Sequence, residues 1–515
     1  MSNKGSSSYS VLIAVSVSLG GFLFGFDASV ISGVIGYVGP QFQLSSLQQG
    51  WVVGSPTFAA MFAMLVAGVV SEKLGRKKIL QIAALLYAIS ALYSALAPGY
   101  EALVIARLLG GLAFGAALVL APLYIGEIAP PAQRGKLVSI QQLNIVLGFS
   151  ASYFSNYMLL ENMSGLGLDD TTIWRWMLGI EFVPAIIYFL LLFLVPESPR
   201  WLIARGQEDK ATEVLTKVMG QAEAANAKVE ILENIESDKT KPKSSIASLL
   251  TPQLRLIVLI ALTLAISQQV TGINSILFYA ATIFEQSGVG KNAAFAQAVL
   301  VGLVQVVFTV LTIAVIDRVG RKPLLLTGLG GITLSMLICF WGFNSASYSL
   351  NETALKELPS QYSTALSGLM DKEYSSDIAF KNDIIDILGQ QEFQAIESQI
   401  LASAADLNAP MILGGILLFM AAFSISVGPI MWVIFSEIFP SRIKGLAIAV
   451  FGFLNSFTSF LVQLVFPWEL ANLGNATTYL LFGLFAMSGL IILARILPET
   501  KGKSLEELEK ELQRS

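Results

Sequence analysis

A carboxylate in the middle of an apolar run is the first residue of this chain with chemistry to offer. Asp27 sits within GGFLFGFDASVISG, Gly20 to Gly33. An ionisable side chain inside a membrane costs about 2.5 to 3.5 kcal/mol on insertion scales, so it is usually paired and usually functional. Two more charges lie in comparable runs, Arg107 in EALVIARLLGG and Glu181 in WRWMLGIEFVPA. One guanidinium between two carboxylates holds buried charge, and protonating a carboxylate releases the guanidinium, which makes the set a switch. With no histidine anywhere, a proton moved within the membrane must ride on a carboxylate, and the usual histidine metal sites and histidine triads are excluded. The single cysteine, Cys339, excludes an internal disulfide. Neither a nucleotide-binding loop nor a catalytic triad is present, so an enzyme is disfavoured and no cofactor or metal is expected.

The second stretch with chemistry is Gln268-Gln269-Val270-Thr271-Gly272-Ile273-Asn274, three amides in seven residues. Amides donate and accept at once, as the hydroxyls of a sugar require. Gln268 and Gln269 are neighbours and cannot face one way on a regular helix, and Gly272 suggests local unwinding that turns Asn274 inward. Amides also glue helices together, which is the plainer use of an isolated one.

The elements that must position these residues follow from composition. A chain of 515 residues, 54% apolar and 13% charged, with a mean hydropathy of +0.68, has too little polar surface for a water-soluble globule. Twelve apolar runs centre near Gly25, Met61, Tyr87, Gly111, Gly148, Tyr188, Gln268, Val306, Ile332, Phe423, Phe453 and Gly483. Each is long enough to cross a hydrocarbon core of roughly 30 Å, and lipid offers backbone groups no hydrogen bonds, so an all-α integral membrane fold is predicted, with the lipid bilayer as partner. The ten residues before the first run are not a cleavable leader, and no basic block points to nucleic acid. The connections Lys73 to Lys78, Arg134 to Lys136, Asp317 to Lys322 and Ser441 to Lys444 are basic, whereas Tyr37 to Gly50 and Pro98 to Glu101 contain no Lys or Arg. The positive-inside rule then places both termini in the cytoplasm. On that topology Asp27 lies roughly 13 Å, and Arg107 and Glu181 each roughly 9 Å, from the outer helix ends, so all three share the outer half.

Repetition organises the chain further. Glu72 in SEKLGRKK recurs as Asp317 in IDRVGRKP, 245 residues on, and Glu127 in EIAPPAQRGK recurs as Glu437 in EIFPSRIKG, 310 residues on. PESPRWL, from Pro196, recurs as PETKGKSL, from Pro498. Two six-helix halves are implied, with boundaries at 1–196 and 251–515, joined by a charged helical cytoplasmic linker over 197–250. The difference of 65 residues between the offsets matches an outer insertion at about 343–409, which holds ten acidic and three basic residues and reads as an accessory, mostly helical lobe.

Taken together, GVVSEKLGRKK, PESPRWL, QQVTGIN, DRVGRK, GPIMWVIFSEIFP and PETKGKS, in this order between these spans, resemble the sugar porter family of the major facilitator superfamily, most of all its bacterial proton-coupled monosaccharide symporters of the xylose type. The resemblance implies two bundles around a central site with alternating access, a monosaccharide as substrate and a proton as coupling ion. It implies that Asp27, Arg107 and Glu181 carry the coupling. It also implies that Gln142, Gln268, Gln269, Asn274, Trp432 and Asn455 contact sugar, with Trp432 a stacking surface or inner gate. Glu72, Arg76, Glu127, Arg134, Glu197, Asp317, Arg321, Glu437, Lys444 and Glu499 fall where family members clamp the two halves at the inner side. Phe149, Phe278 and Gln305 depart from the family's common residues and would fit a smaller or less hydroxylated ring. The expected setting is a plasma membrane, the inner one in a Gram-negative cell. Passive sugar diffusion, cyclic polyol transport and a non-transporting sugar sensor are the alternatives.

Overall fold

Helices account for most of the described residues, as backbone groups that find no hydrogen-bond partner in lipid require. The protein is described by a computed structural model covering residues 3–240, 245–440 and 443–501. The side chain of Asp317, residues Ser441 and Arg442 of the fourth basic connection, and the chain beyond Lys501 lie outside the described residues.

Among the described residues twelve helices are long and apolar enough to cross a membrane. In chain order the spans are Tyr9–Gln41, Ser46–Leu74, Arg76–Ala95, Tyr100–Ile128, Arg134–Glu161, Ile173–Leu194, Pro252–Phe278, Lys291–Ile316, Arg321–Asn344, Ala409–Ile438, Lys444–Asn472 and Gly474–Ile496. They are numbered one to twelve below. Each predicted centre falls inside its span. The charged linker forms three helices, Pro199–Ala204, Glu208–Met219 and Gln221–Thr240. The insertion between spans nine and ten forms a lobe, which includes the helices Asp377–Leu388 and Gln390–Ala404. Hydropathy alone did not indicate its antiparallel pair of two-residue strands, Ser347–Tyr348 and Ala405–Asp406.

The chain divides by contacts into two compact units. The first comprises Met1–Asp27, Ser55–Phe149 and Leu178–Ser245. Its helices meet at glycine seams. A Cβ on Gly25 would stand 2.0 Å from the Ile145 carbonyl oxygen, one on Gly148 2.1 Å from that of Phe22, and one on Gly111 2.2 Å from that of Pro56. Small residues let backbones touch where lipid supplies no hydrophobic drive for helices to associate.

The second unit comprises Ala28–Gly54, Ser150–Met177 and Ile246–Ser515. It contains the lobe, whose own apolar core includes Tyr348, Leu350, Phe380, Ile384 and Ile400. A polar chain fastens the lobe down. Lys381 and the Asn475 amide both donate to Gln286 Oε1, at 3.3 and 2.7 Å, and the Asn475 backbone N–H donates to Asp377 at 3.1 Å. In the same unit the lobe ends of spans one, two and five pack tightly on span eleven, on span seven and on the helix Ala280–Gln286 that follows it. Ala281 N–H donates to Ser32 at 3.0 Å, the Tyr153 hydroxyl donates to the Leu277 carbonyl, and a Cβ on Gly50 would stand 2.0 Å from the Leu464 carbonyl oxygen.

Candidate functional site

Three kinds of site emerge from these elements, the third built once in each unit. In the first unit Asp27, Arg107 and Glu181 are all buried, 3%, 1% and 2% exposed. Arg107 Nη1 donates to Asp27 Oδ1 at 2.5 Å and to the Asp27 carbonyl at 3.2 Å. The Glu181 carboxyl lies within hydrogen-bonding reach of that of Asp27. Span six is interrupted there, Ile173–Gly179 being followed by Phe182–Leu194, and Glu181 immediately precedes the second piece, its side chain making no capping bond to it. Fully ionised, two carboxylates and one guanidinium carry one net negative charge in a medium that penalises it heavily, and a single proton makes the set neutral. These three residues lie together, as grouped by the depth count from sequence. It missed Tyr87 and Tyr188, which line the same spot: Tyr87 donates to the Gly20 carbonyl at 3.1 Å, while the Tyr188 hydroxyl is buried without a hydrogen-bond partner among the described residues.

The amides form the second site, in the second unit. Gly272 adopts φ +88°, the left-handed region that favours glycine, and divides Arg255–Val270 from Ile273–Phe278. The local unwinding read from QQVTGIN is thus present. Across the break Gln269 Oε1 accepts from Asn274 at 2.8 Å, while Gln269 Nε2 donates to Gln268 Oε1 and Asn455 Oδ1, both at 3.1 Å. Asn455 in turn donates to Gln268 Oε1 at 2.8 Å and to the Ala265 carbonyl at 2.9 Å. Gln268 donates at 3.2 Å to the carbonyls of Val427 and Gly428, beside the break at Ser426 in span ten. Four of the predicted sugar ligands, Gln268, Gln269, Asn274 and Asn455, thus bond to one another. Trp432 follows that break, 46% exposed, its ring edge 5.9 Å from Phe435 by centroids.

Ser459 and Gln463 extend this network unforeseen. Asn274 donates to Ser459 at 2.6 Å, and so does Gln463 at 2.7 Å. The signal was in the sequence: Asn455, Ser459 and Gln463 recur every four residues along span eleven, a polar stripe on one face of an apolar helix. Gln142 belongs to the first unit and is exposed, whereas its neighbour Gln141 is buried with Oε1 unpartnered among the described residues. Of the departures from the family pattern, Phe149 and Phe278 are buried, and Gln305 is buried with its Oε1 unpartnered among the described residues.

The repeated motifs make the third site twice over. In the first unit Arg76 grips Glu127 through two contacts of 3.1 and 3.2 Å, Ser198 donates to the same carboxylate, and Glu197 accepts the backbone N–H groups of Arg76 and Lys77 at 3.0 and 3.2 Å. In the second unit Arg321 contacts Glu437 at 3.0 Å, Thr500 donates to Glu437 at 2.6 Å, and Glu499 accepts the N–H groups of Arg321 and Lys322, both at 3.1 Å. Burial raises the Glu499 pKa, but backbone N–H donors outweigh it and hold the carboxyl below the usual glutamate range. The two copies differ in shielding, with side-chain exposures of 7% and 8% for Arg76 and Glu127 against 15% and 26% for Arg321 and Glu437. Glu127 is thus held by Arg76 and Ser198, while Arg134 and Glu72 are exposed. Among the described residues no group of three His, Cys, Asp or Glu is placed to hold a metal.

Twelve apolar helices, a buried charge triad with one carboxylate in excess, an amide network at broken helices and a twice-built Arg–Glu motif define a polytopic membrane carrier. The family model described as "Sugar (and other) transporter" matches residues 13–357 and 395–512, and the chain belongs to that family. The arabinose-proton symporter of Bacillus subtilis (strain 168) is 35% identical over 97% of this chain and 94% of its own length. The D-xylose-proton symporter of Escherichia coli (strain K12) is 32% identical over 99% of this chain and 97% of its own. Among solved structures, an inward open conformation of the xylose transporter XylE from E. coli matches with a TM-score of 0.73 at 30% identity, covering 97% of this chain and 98% of that one. The proton:xylose symporter XylE bound to 6-bromo-6-deoxy-D-glucose matches with a TM-score of 0.70 at 30% identity, covering 98% and 99%. The fold is accordingly that of the major facilitator superfamily, in a multi-pass membrane protein.

Proposed function

We infer that this chain is a secondary transporter that imports a monosaccharide, a hexose or pentose, together with a proton by alternating access. The observation that carries the reading is the buried Asp27–Arg107 pair with Glu181 against it, a set that one proton brings to neutrality, in a chain whose relatives are proton symporters for arabinose and xylose. Asp27 takes the proton, Arg107 is released or recaptured as it does so, and Glu181 is the adjoining carboxyl through which the proton is shared. Sugar is held by Gln268, Gln269, Asn274 and Asn455, with Gln142 and Trp432 completing the pocket. The two bodies that move are the sequence halves, 1–196 and 251–515. The basic connections and both termini face the cytoplasm and the lobe faces out. The Arg76–Glu127 and Arg321–Glu437 clusters, with Glu72, Arg134 and Asp317, act as the inner gate. The close packing of spans one, two and five on spans seven and eleven and on the helix Ala280–Gln286 at the lobe end fits a carrier closed on that side.

Uptake of labelled D-xylose, L-arabinose and D-glucose into proteoliposomes, with and without an imposed inward proton gradient, tests the reading. Accumulation above the external concentration only with the gradient is expected. Equilibration unaffected by the gradient would make the protein a facilitator, and binding without flux would make it a sensor.

A further inference from the structure

The transport reading leaves one large feature unused, a cavity of about 1030 Å³ at the lobe end of the second unit. That is at the upper end of the roughly 300 to 1,000 Å³ typical of small-molecule sites. Its walls are the connection between spans one and two, the helix Ala280–Gln286 that follows span seven, the last turn of span eleven, and the two lobe helices Asp377–Leu388 and Gln390–Ala404. The lobe thus closes over the mouth of the helices that carry the amide network.

Amides dominate the polar lining. Gln43 stands on one wall, and Gln390, Gln391 and Gln394 on the lobe wall opposite. None of these four amides is consumed by a hydrogen bond to another described residue. Charge in the cavity is nearly cancelled. Lys381 pairs with Glu397 at 2.9 Å, and Lys291 lies beside Glu285. Asp170 is the one lining charge left over, which disfavours anions, and the free amides favour an uncharged ligand rich in hydroxyls, since each amide can donate to and accept from the same diol.

A second observation points the same way. Tyr37 lines the cavity and is 5% exposed, and its buried hydroxyl has no hydrogen-bond partner among the described residues. Leaving such a group unsatisfied costs about 1 to 3 kcal/mol. Lys291 holds the ring from above, its ammonium 4.0 Å from the centroid, so the hydroxyl is fixed in place rather than free to swing to another partner.

We propose that this cavity is a second sugar site, formed by the lobe and separate from the amide network of spans seven and eleven, which takes an uncharged polyhydroxylated ligand at the outer mouth of the carrier. It gives the insertion a role in capturing substrate.

Saturation-transfer NMR on the purified full chain in detergent, with D-xylose as the probe, reads weak binding without transport. In Gln269→Ala/Asn455→Ala the xylose signal is expected to persist at about half its original strength. Adding Tyr37→Phe, Gln391→Ala and Gln394→Ala to that background should reduce it at least fivefold. Loss of the whole signal in the first variant overturns the proposal, because one site then accounts for all binding. Persistence in the combined variant overturns it too, because the sugar then sits elsewhere. Should the combined variant fail to elute as a monodisperse peak, the pair Gln391→Ala/Gln394→Ala alone serves, Gln391 being exposed and Gln394 half-buried, with at least a twofold loss expected and no change counting against the site. The measurement does not involve proton coupling, so a failure of symport leaves its outcome readable.

Discussion

At the scale of single residues, the charge triad decides whether the carrier is driven or passive. Asp27→Asn removes the titrating oxygen while keeping the shape and a hydrogen bond to Arg107, so accumulation driven by a proton gradient should vanish while exchange of sugar down its own gradient continues; unchanged accumulation in proteoliposomes would refute Asp27 as the coupling group. Arg107→Ala is a different experiment. It leaves two buried carboxyls with no cation, and breaking a buried pair in this way costs about 3 to 5 kcal/mol, so a clear loss of thermal stability in detergent is expected besides loss of coupling. Membership of the triad was legible in the sequence because the arithmetic of depth needs only span ends and a rise per residue. Its surroundings were not, because Tyr87 and Tyr188 are ordinary residues in apolar spans and only packing brings them to the charges.

At the scale of elements, broken helices do the work. Gly272 carries φ +88°, and a Cβ there would lie 2.4 Å from the Phe482 ring. Gly272→Ala therefore meets backbone strain of about 1 to 3 kcal/mol as well as a clash, and the melting temperature should fall. Gly272→Ala/Phe482→Leu should recover the steric part only, and full recovery would argue that the backbone conformation costs nothing. Because Gln269 joins Asn274, Asn455 and Gln268, Gln269→Ala disrupts the site as a unit. Its expected effect is a rise in sugar Kd of tenfold or more by equilibrium binding, about 1.4 kcal/mol. The break in span seven could be read from a glycine beside three crowded amides. Those in spans six and ten have a sequence cause too: Pro184 and Pro429 offer no N–H to the carbonyls of Ile180 and Ile425 four residues earlier, and the leading pieces end at Gly179 and Ile425.

At the scale of the whole molecule, the chain is a repeat written twice and unevenly. The sequence offset foretold that Arg76–Glu127 and Arg321–Glu437 would be counterparts. It did not foretell that Ser198 and Thr500 complete each carboxylate, although both follow the repeated Pro-Glu pair. Glu437→Gln should cut the maximal rate of uptake about tenfold, the effect of about 1.4 kcal/mol on a barrier, and leave sugar affinity unchanged, since it lies outside the amide network; an equal shift in Kd would count against a gating role. The unequal shielding of the two copies, 7% and 8% against 15% and 26%, has a further consequence in ionic strength. Counterions screen over about 10 Å at 0.1 M salt and about 3 Å at 1 M, and they act on exposed pairs more than on buried ones. Salt therefore tells the two descendants of one ancestral motif apart: rising ionic strength should slacken the second copy while the first still holds, so the carrier's tolerance of brine is set by its weaker twin.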